Sequence, residues 1–309
     1  MADLLLKTFM KAKAILKEVA ARALLLSAIP FFFRLMFARR GCAILIYHDP
    51  KPETLDRHLQ YLKRHFSFIS LSNLCDAIVA GDGSALSCSK LVLTIDDGRA
   101  GNARLIPVFQ KHAVYPTIYV CSSIVGTEQL FWWQHEAAKT LGLERLKRLP
   151  NAERLRLLAR YDFLREPEQG PHAALSREEV TALAAVADIQ SHTRSHPILT
   201  QCDDDTCSAE ITGSKSEIEA FTGKPCVDFA YPNGNYSARE IAILKEAGYR
   251  SARTCDVGWN GAATDPFRLR GFPIADDASV PWMAVQVTGL STFLKYAFSG
   301  SWRGRMPQY

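Results

Sequence analysis

From residue 42 the chain alternates short apolar runs with stretches in which apolar residues recur every three or four positions. CAILIYH (42–48), KLVLTID (90–96), PTIYVC (116–121), ADIQSH (187–192), CVDFAYP (226–232) and YRSARTC (249–255) have strand length, and FSFIS (66–70) is a shorter example. Between them the periodicity predicts helices over 53–66, 99–113, 206–222 and 237–247, one more capped by Ser72 and another beginning at Ser176. Strands alternating with helices predict a parallel sheet or barrel wrapped by helices. In such folds the working residues sit at the carboxyl ends of the strands. Segment 126–170 breaks the alternation: FWWQHE followed by the charged stretches ERLKRL and ERLRLLARYDFLRE predicts an inserted helical subdomain, a lid.

The first forty residues follow a different pattern. Leu4, Leu5, Phe9, Ala12, Leu16, Val19, Ala23 and Leu26 recur at helical spacing, with lysines between them. The uncharged interval from Arg22 to Arg34 is eleven residues and contains Pro30, whereas a spanning helix needs about 20 apolar residues. The basic region is also longer than that of a cleavable signal peptide. Residues 1–40 hold eight Lys/Arg against Asp3 and Glu18, while the rest of the chain holds 29 basic and 30 acidic side chains. Residues 1–40 therefore read as a basic amphipathic segment lying on a membrane surface, with packing on the body or a signal-anchor as alternatives. A body without excess positive charge disfavours nucleic acid as a partner.

Residues 41–279 are expected to form one domain, the one that would carry any catalytic site, and 280–309 read as an amphipathic tail that ends basic. With 48% hydrophobic and 22% charged residues, a disordered chain or a disulfide scaffold is excluded. The eight cysteines form no C-x-x-C and lie in core-like segments, so they read as reduced thiols. That favours the cytoplasmic face of the inner membrane; the signal-anchor alternative puts the body in the periplasm or outside the cell.

Three strand ends carry candidate chemistry. Asp96 and Asp97 follow an apolar strand and enter a helix, where adjacent carboxylates are costly unless paired. One suits a cation and the other a base. Ser191-His192-Thr193-Arg194-Ser195-His196 spaces two histidines four apart, as on one side of a helical turn, so that both can reach one ion. With Asp97 they make a two-histidine, one-carboxylate face with open positions, suited to catalytic zinc or a related divalent ion. Phe229-Ala230-Tyr231-Pro232-Asn233-Gly234 brackets a tight turn that can aim a backbone N–H into a site.

TIDDG, HTRSH and YPNG, in this order, resemble the first three motifs of the NodB-homology polysaccharide deacetylases, carbohydrate esterase family four. The resemblance spans roughly residues 42–275 and implies a distorted (β/α) barrel, an α/β fold here with a helical insertion and an N-terminal amphipathic helix. It implies metal-dependent removal of an N-acyl group, N-acetyl above all, from a bacterial surface carbohydrate or a polyprenyl-phosphate-linked precursor. Carried over by position, it makes Asp97, His192 and His196 the metal ligands and Asp96 the general base, with Asn233 and Tyr231 at the oxyanion side.

Three departures stand out. Ala230 replaces the Arg that opens the third motif and holds the catalytic Asp in many members. Asn233 replaces an aromatic residue, and no histidine follows His196 to supply the late acid. The sequence up to the DDG, and the FAYP start of the third motif, are similar to the biofilm poly-N-acetylglucosamine deacetylases. In that branch an early strand-end histidine acts as the acid, which assigns His48 that role. Trp132 and Trp133, with Phe131, offer aromatic faces for sugar rings or a core for the lid. Competing readings are a deformylase of a lipid-linked amino sugar and a carbohydrate-binding protein that has lost catalysis.

Overall fold

The computed structural model describes residues 16, 18–30, 32, 36, 41–86, 89–161 and 172–291. Most of the expected N-terminal stripe before Leu16, the end of the insertion and most of the tail lie outside them.

β1 (Cys42–Tyr47) leads through α1 (Pro52–His65) to the short β2 (Ser67–Phe68), α2 (Leu71–Val79) and β3 (Lys90–Ile95). A 3-10 turn at Ala100–Leu105 and α3 (Ile106–His112) return the chain to β4 (Thr117–Val120). The insertion contributes α4 (Glu136–Leu141), α5 (Leu143–Lys147) and α6 (Asn151–Ala159). Then come α7 (Arg177–Leu183), β5 (Asp188–Ser191), α8 (Asp204–Thr222), β6 (Asp228–Ala230), α9 (Ala238–Glu246) and β7 (Ser251–Arg253). β8 (Trp259–Asn260), β9 (Phe272–Pro273) and α10 (Val280–Val287) follow.

The sheet order is β7-β6-β5-β4-β3-β1-β8, with β2 on β3 and β9 on β1. Every named pairing is parallel except β1 with β8. This is the curled half-barrel that strand–helix alternation predicts.

Two helix starts differ from the sequence expectation. Ser70, not Ser72, caps α2, because its side chain accepts from Asn73 N at the third helical position. The helix expected over 99–113 is split, since Pro107 has no N–H to continue a helix from the preceding turn. The expected start at Ser176 is a reciprocal capping box with Glu179.

Side-chain alternation sorts each strand into two rows. Leu45, Tyr47, Leu93, Ile95, Ile118, Val120, Ile189 and Phe229 face outward into the core beneath the helices, against Leu55, Leu59, Phe109, Leu183, Ile211 and Leu244. Ile44, Val92, Tyr119 and Ala230 face the inside of the curl, where α2 supplies Leu71, Leu74, Cys75 and Ile78. Near the strand starts the inward row turns polar. The fully buried Asp228 accepts from Arg250 Nε (2.9 Å), Arg250 Nη2 (2.8 Å) and Ser251 Oγ (2.7 Å). Gln190 Oε1 accepts from the backbone N–H of Val227 and Asp228, both at 2.8 Å. This cluster ties β5, β6 and β7 together. Asp228→Ala strands several donors at once, and its urea midpoint is expected to report a loss of about 2–3 kcal/mol, with an unchanged m-value.

Candidate active site

The inward row continues beyond the strand ends. Ile95 faces the outer core, and Asp96 and Asp97 follow it into the site, 3% and 2% exposed. Asp97 takes the left-handed conformation (φ 74°), as do Thr193 (φ 69°) and His196 (φ 58°). The two histidines are therefore not on a helical turn, as their spacing suggests, but on a loop beyond β5. Thr193 Oγ1 closes that loop by accepting from His196 N at 3.0 Å.

His192 Nε2 and His196 Nε2 each stand 3.6 Å from Asp97 Oδ1. That is too long for a hydrogen bond. Ligand atoms about 2.1 Å from one tetrahedral ion are about 3.4 Å apart, so the three donors have the spacing of a metal site. His192 Nδ1 faces the Ala230 carbonyl oxygen at 2.8 Å; as the N–H donor it leaves Nε2 a free lone pair. Burial lowers the pKa of both imidazoles, and for His196 the neighbouring His192 adds to the effect. Both are thus kept neutral, the form that binds metal. The donor set fits a divalent cation.

Asp96 meets a partner from the far edge of the sheet. Its Oδ2 accepts from Arg253 Nη2, while its Oδ1 is buried without a partner. Arg253 is fully buried on β7, with its guanidinium 5.4 Å from the Tyr119 ring centre. Burial is the strongest single influence and opposes its charge, but the Asp96 carboxylate, Cys255 and Tyr119 together raise the guanidinium pKa. The register pairs Arg253 with Ala230. The cation missing from the third motif is therefore supplied one strand over, at the same level.

A second carboxylate supports the ligand loop. Glu210 on α8 accepts from Arg194 N (2.8 Å) and Ser195 N (2.9 Å) through Oε2, and from Ser195 Oγ (2.5 Å) through Oε1. Arg194 Nε reaches Glu217 at 2.8 Å, and Ser122 Oγ donates to the same carboxylate at 2.6 Å. The stretch between the two histidines is thus fixed from α8.

His48 follows β1. The register pairs Tyr47 with Ile95, and Asp96 N donates to Tyr47 O at 2.9 Å, so His48 stands level with Asp96 on the neighbouring strand. Its backbone is clamped on both sides. The Asp276 oxygens accept from His48 N (3.0 Å) and Asp49 N (2.9 Å), and Asn102 Nδ2 donates to His48 O (2.9 Å). A Cβ at Gly101 would come within 1.9 Å of Asp49 Oδ1, so a side chain there would displace the Asp49 carboxylate.

Asn233 is left-handed (φ 58°, ψ 5°), and the turn's own bond runs from Gly234 N to Tyr231 O at 2.9 Å. That turn does not consume the Asn233 N–H. Strand alternation turns the Tyr231 side chain away from this cluster into the outer core, 1% exposed, with its hydroxyl donating to Phe267 O at 3.1 Å. Trp132 is also buried, and its indole N–H donates to the His196 carbonyl at 3.1 Å. Arg154, itself 1% exposed, lies 4.5 Å from the Trp132 ring centre, and burial lowers its pKa to about 10. Trp133 is half-buried, its ring centre 4.3 Å from that of His196. Of the two tryptophans, Trp133 is the more exposed.

The chain belongs to the polysaccharide deacetylase family, which matches residues 83–252. No curated protein matches it. Among solved structures, the deacetylase PplD of Streptococcus pyogenes, in complex with acetate, aligns with 80% of this chain and 98% of its own at 19% identity and a TM-score of 0.59. IcaB from Ammonifex degensii aligns with 81% and 97% at 16% identity and a TM-score of 0.60. The BpsB deacetylase domain of Bordetella bronchiseptica aligns with 76% and 96% at 15% identity and a TM-score of 0.54. At these identities the likeness is one of fold, the NodB-type half-barrel.

Two substitutions test the supports. Arg253→Met removes the cation beside Asp96 and is expected to cost about 3–5 kcal/mol in denaturant unfolding. Glu210→Gln keeps the shape but weakens the grip on the ligand loop. Competition with a chelating dye should show metal affinity reduced about 10- to 100-fold.

Proposed function

We propose that this family member is a metal-dependent hydrolase that removes an N-acyl group, acetyl in the first instance, from a carbohydrate. The observation that carries the reading is the Asp97–His192–His196 donor set beside an Asp96 carboxylate with one oxygen held by Arg253 and the other free. Asp97, His192 and His196 would hold a divalent ion, and zinc suits a two-histidine, one-carboxylate set with open positions. When bound, that ion supplies Lewis-acid polarisation of the acyl carbonyl and of a water.

Arg253 orients Asp96, so that the unpartnered Oδ1 takes a proton from the water as its oxygen attacks the acyl carbon. The Asn233 N–H donates to the carbonyl oxygen as negative charge builds there. His48 then gives a proton to the nitrogen as the C–N bond breaks, and the free amino sugar and the carboxylate leave. Trp133 offers its ring as a stacking face for the sugar. We place this chemistry on the cytoplasmic face of a membrane, with a polyprenyl-phosphate-linked sugar as substrate. The basic N-terminal segment supports the membrane; the seven described cysteines, all free and six of them buried, support the reducing side.

The test is acetate and formate release from a panel of N-acylated sugars, soluble and lipid-linked, with metal content measured in parallel. Chelation should abolish turnover and added zinc restore it. Asp96→Asn should lower kcat about 100- to 10,000-fold with metal still bound, and His48→Ala should fall in the same range. Metal-loaded protein that releases no acyl group from any substrate would sink the reading. Full activity in His48→Ala would remove the acid assignment alone.

A further inference from the structure

The described part of the N-terminal segment is turned inside out relative to an ordinary surface helix. Residues 18–26 are helical, and Leu16, Val19 and Leu26 are 70%, 57% and 88% exposed. With the exposed Ala23 they recur at i, i+3, i+7 and i+10, one continuous outward stripe. A helix packed on a domain buries such a stripe. Here the opposite face meets the body: Ala21 is fully buried, and Glu18 accepts a hydrogen bond from the Ser279 hydroxyl at the start of α10. Arg22 is the sole charge between Glu18 and Arg34, and Glu18 holds it at 2.9 Å.

The anchoring point is close to the catalytic rim. Ser279 lies three residues beyond Asp276, whose carboxylate clamps the backbone of His48 and Asp49. Three residues span at most about 11 Å. The apolar stripe is therefore tied to the segment that fixes the loop carrying the proposed acid.

We infer that this stripe lies in an anionic bilayer and sets the active site at the level of the lipid headgroups. The substrate class that follows is an amphiphile whose N-acylated sugar is joined through phosphate to a lipid. The inference rests on the hydrolase reading for its chemistry and on this surface for its location. Charge selects the occupant. Residues 1–40 hold eight Lys/Arg against two acidic residues, complementary to anionic headgroups. A second copy would set the same positive segment against itself.

The experiment floats the full-length protein with phosphatidylglycerol-containing vesicles and with pure phosphatidylcholine vesicles, comparing wild type with the double variant Val19→Glu, Leu26→Glu. Both positions are exposed, so circular dichroism and metal content should not change. Wild type should float with anionic vesicles and much less with neutral ones, and the double variant should bind about tenfold less or worse. The variant should keep its activity on a soluble N-acetylated oligosaccharide while losing a similar factor on a vesicle-embedded lipid-linked sugar.

Wild type that stays unbound, or a variant that floats equally well, overturns the inference. So does light scattering that finds a wild-type dimer abolished in the variant, which assigns the stripe to a second copy. Equal turnover of embedded and soluble substrates by wild type overturns the substrate class. Flotation as expected with no acyl release from either substrate leaves the surface standing and removes the hydrolase reading.

Discussion

The buried ion pair between Asp96 and Arg253 constrains the whole catalytic half of this molecule. β3 and β7 are four places apart in the sheet order, a distance of about 19 Å in a flat sheet. No arginine side chain spans that, so the pair exists because the sheet curls until its far edge faces its centre. Two charges withdrawn from water are tolerated when each is the other's partner; either one alone is costly. The residues between them fit this closure. Ala230, the register partner of Arg253, is small, and Tyr119 turns its ring toward the guanidinium. The same curl brings the loop after β5 over Asp97, so the donor set and the Asp96 pair share one geometric cause.

The site also concentrates backbone strain. Asp97, Thr193, His196 and Asn233 all have positive φ, and Thr193 is β-branched, the residue type that tolerates this least. Such conformations cost about 1–3 kcal/mol each and persist only where the surroundings over-determine them. Glu210, which accepts two backbone N–H groups and a hydroxyl from the loop between the histidines, is one such restraint. Asp276 does the same for the loop after β1. In both places a carboxylate from another element collects adjacent amides that a regular strand or helix would have satisfied.

Legibility in the sequence followed this division. The buried strands were visible because a parallel strand covered on both faces reads as an unbroken apolar run. Asp96, Asp97, His192 and His196 stood out because polar residues ending such runs have few structural reasons to be there. Arg253, Glu210 and Asp276 were invisible, since their roles depend on which strands become neighbours across the curl. A signal did exist for Arg253: a basic residue sits inside the expected strand YRSARTC, at the register partner of Ala230. Ala230 and Tyr231 are neighbours in the third motif, but strand alternation sends Ala230 inward and Tyr231 outward. The histidine spacing predicted a helical turn and met a left-handed loop instead; both geometries converge two imidazoles on one point.

The indole N–H of Trp132 ends on the carbonyl of His196, which binds the insertion to the residue that completes the donor set. That bond makes the insertion a poor unit of exchange. In a chimera carrying a relative's insertion, the His196 carbonyl would lose its donor, and the ring behind it would no longer be backed by Arg154. Loop grafting meant to change sugar preference would then disturb the histidine loop as well. For this chain the insertion and the histidine loop are inherited together, and a library that varies the insertion should hold Trp132 and Arg154 fixed.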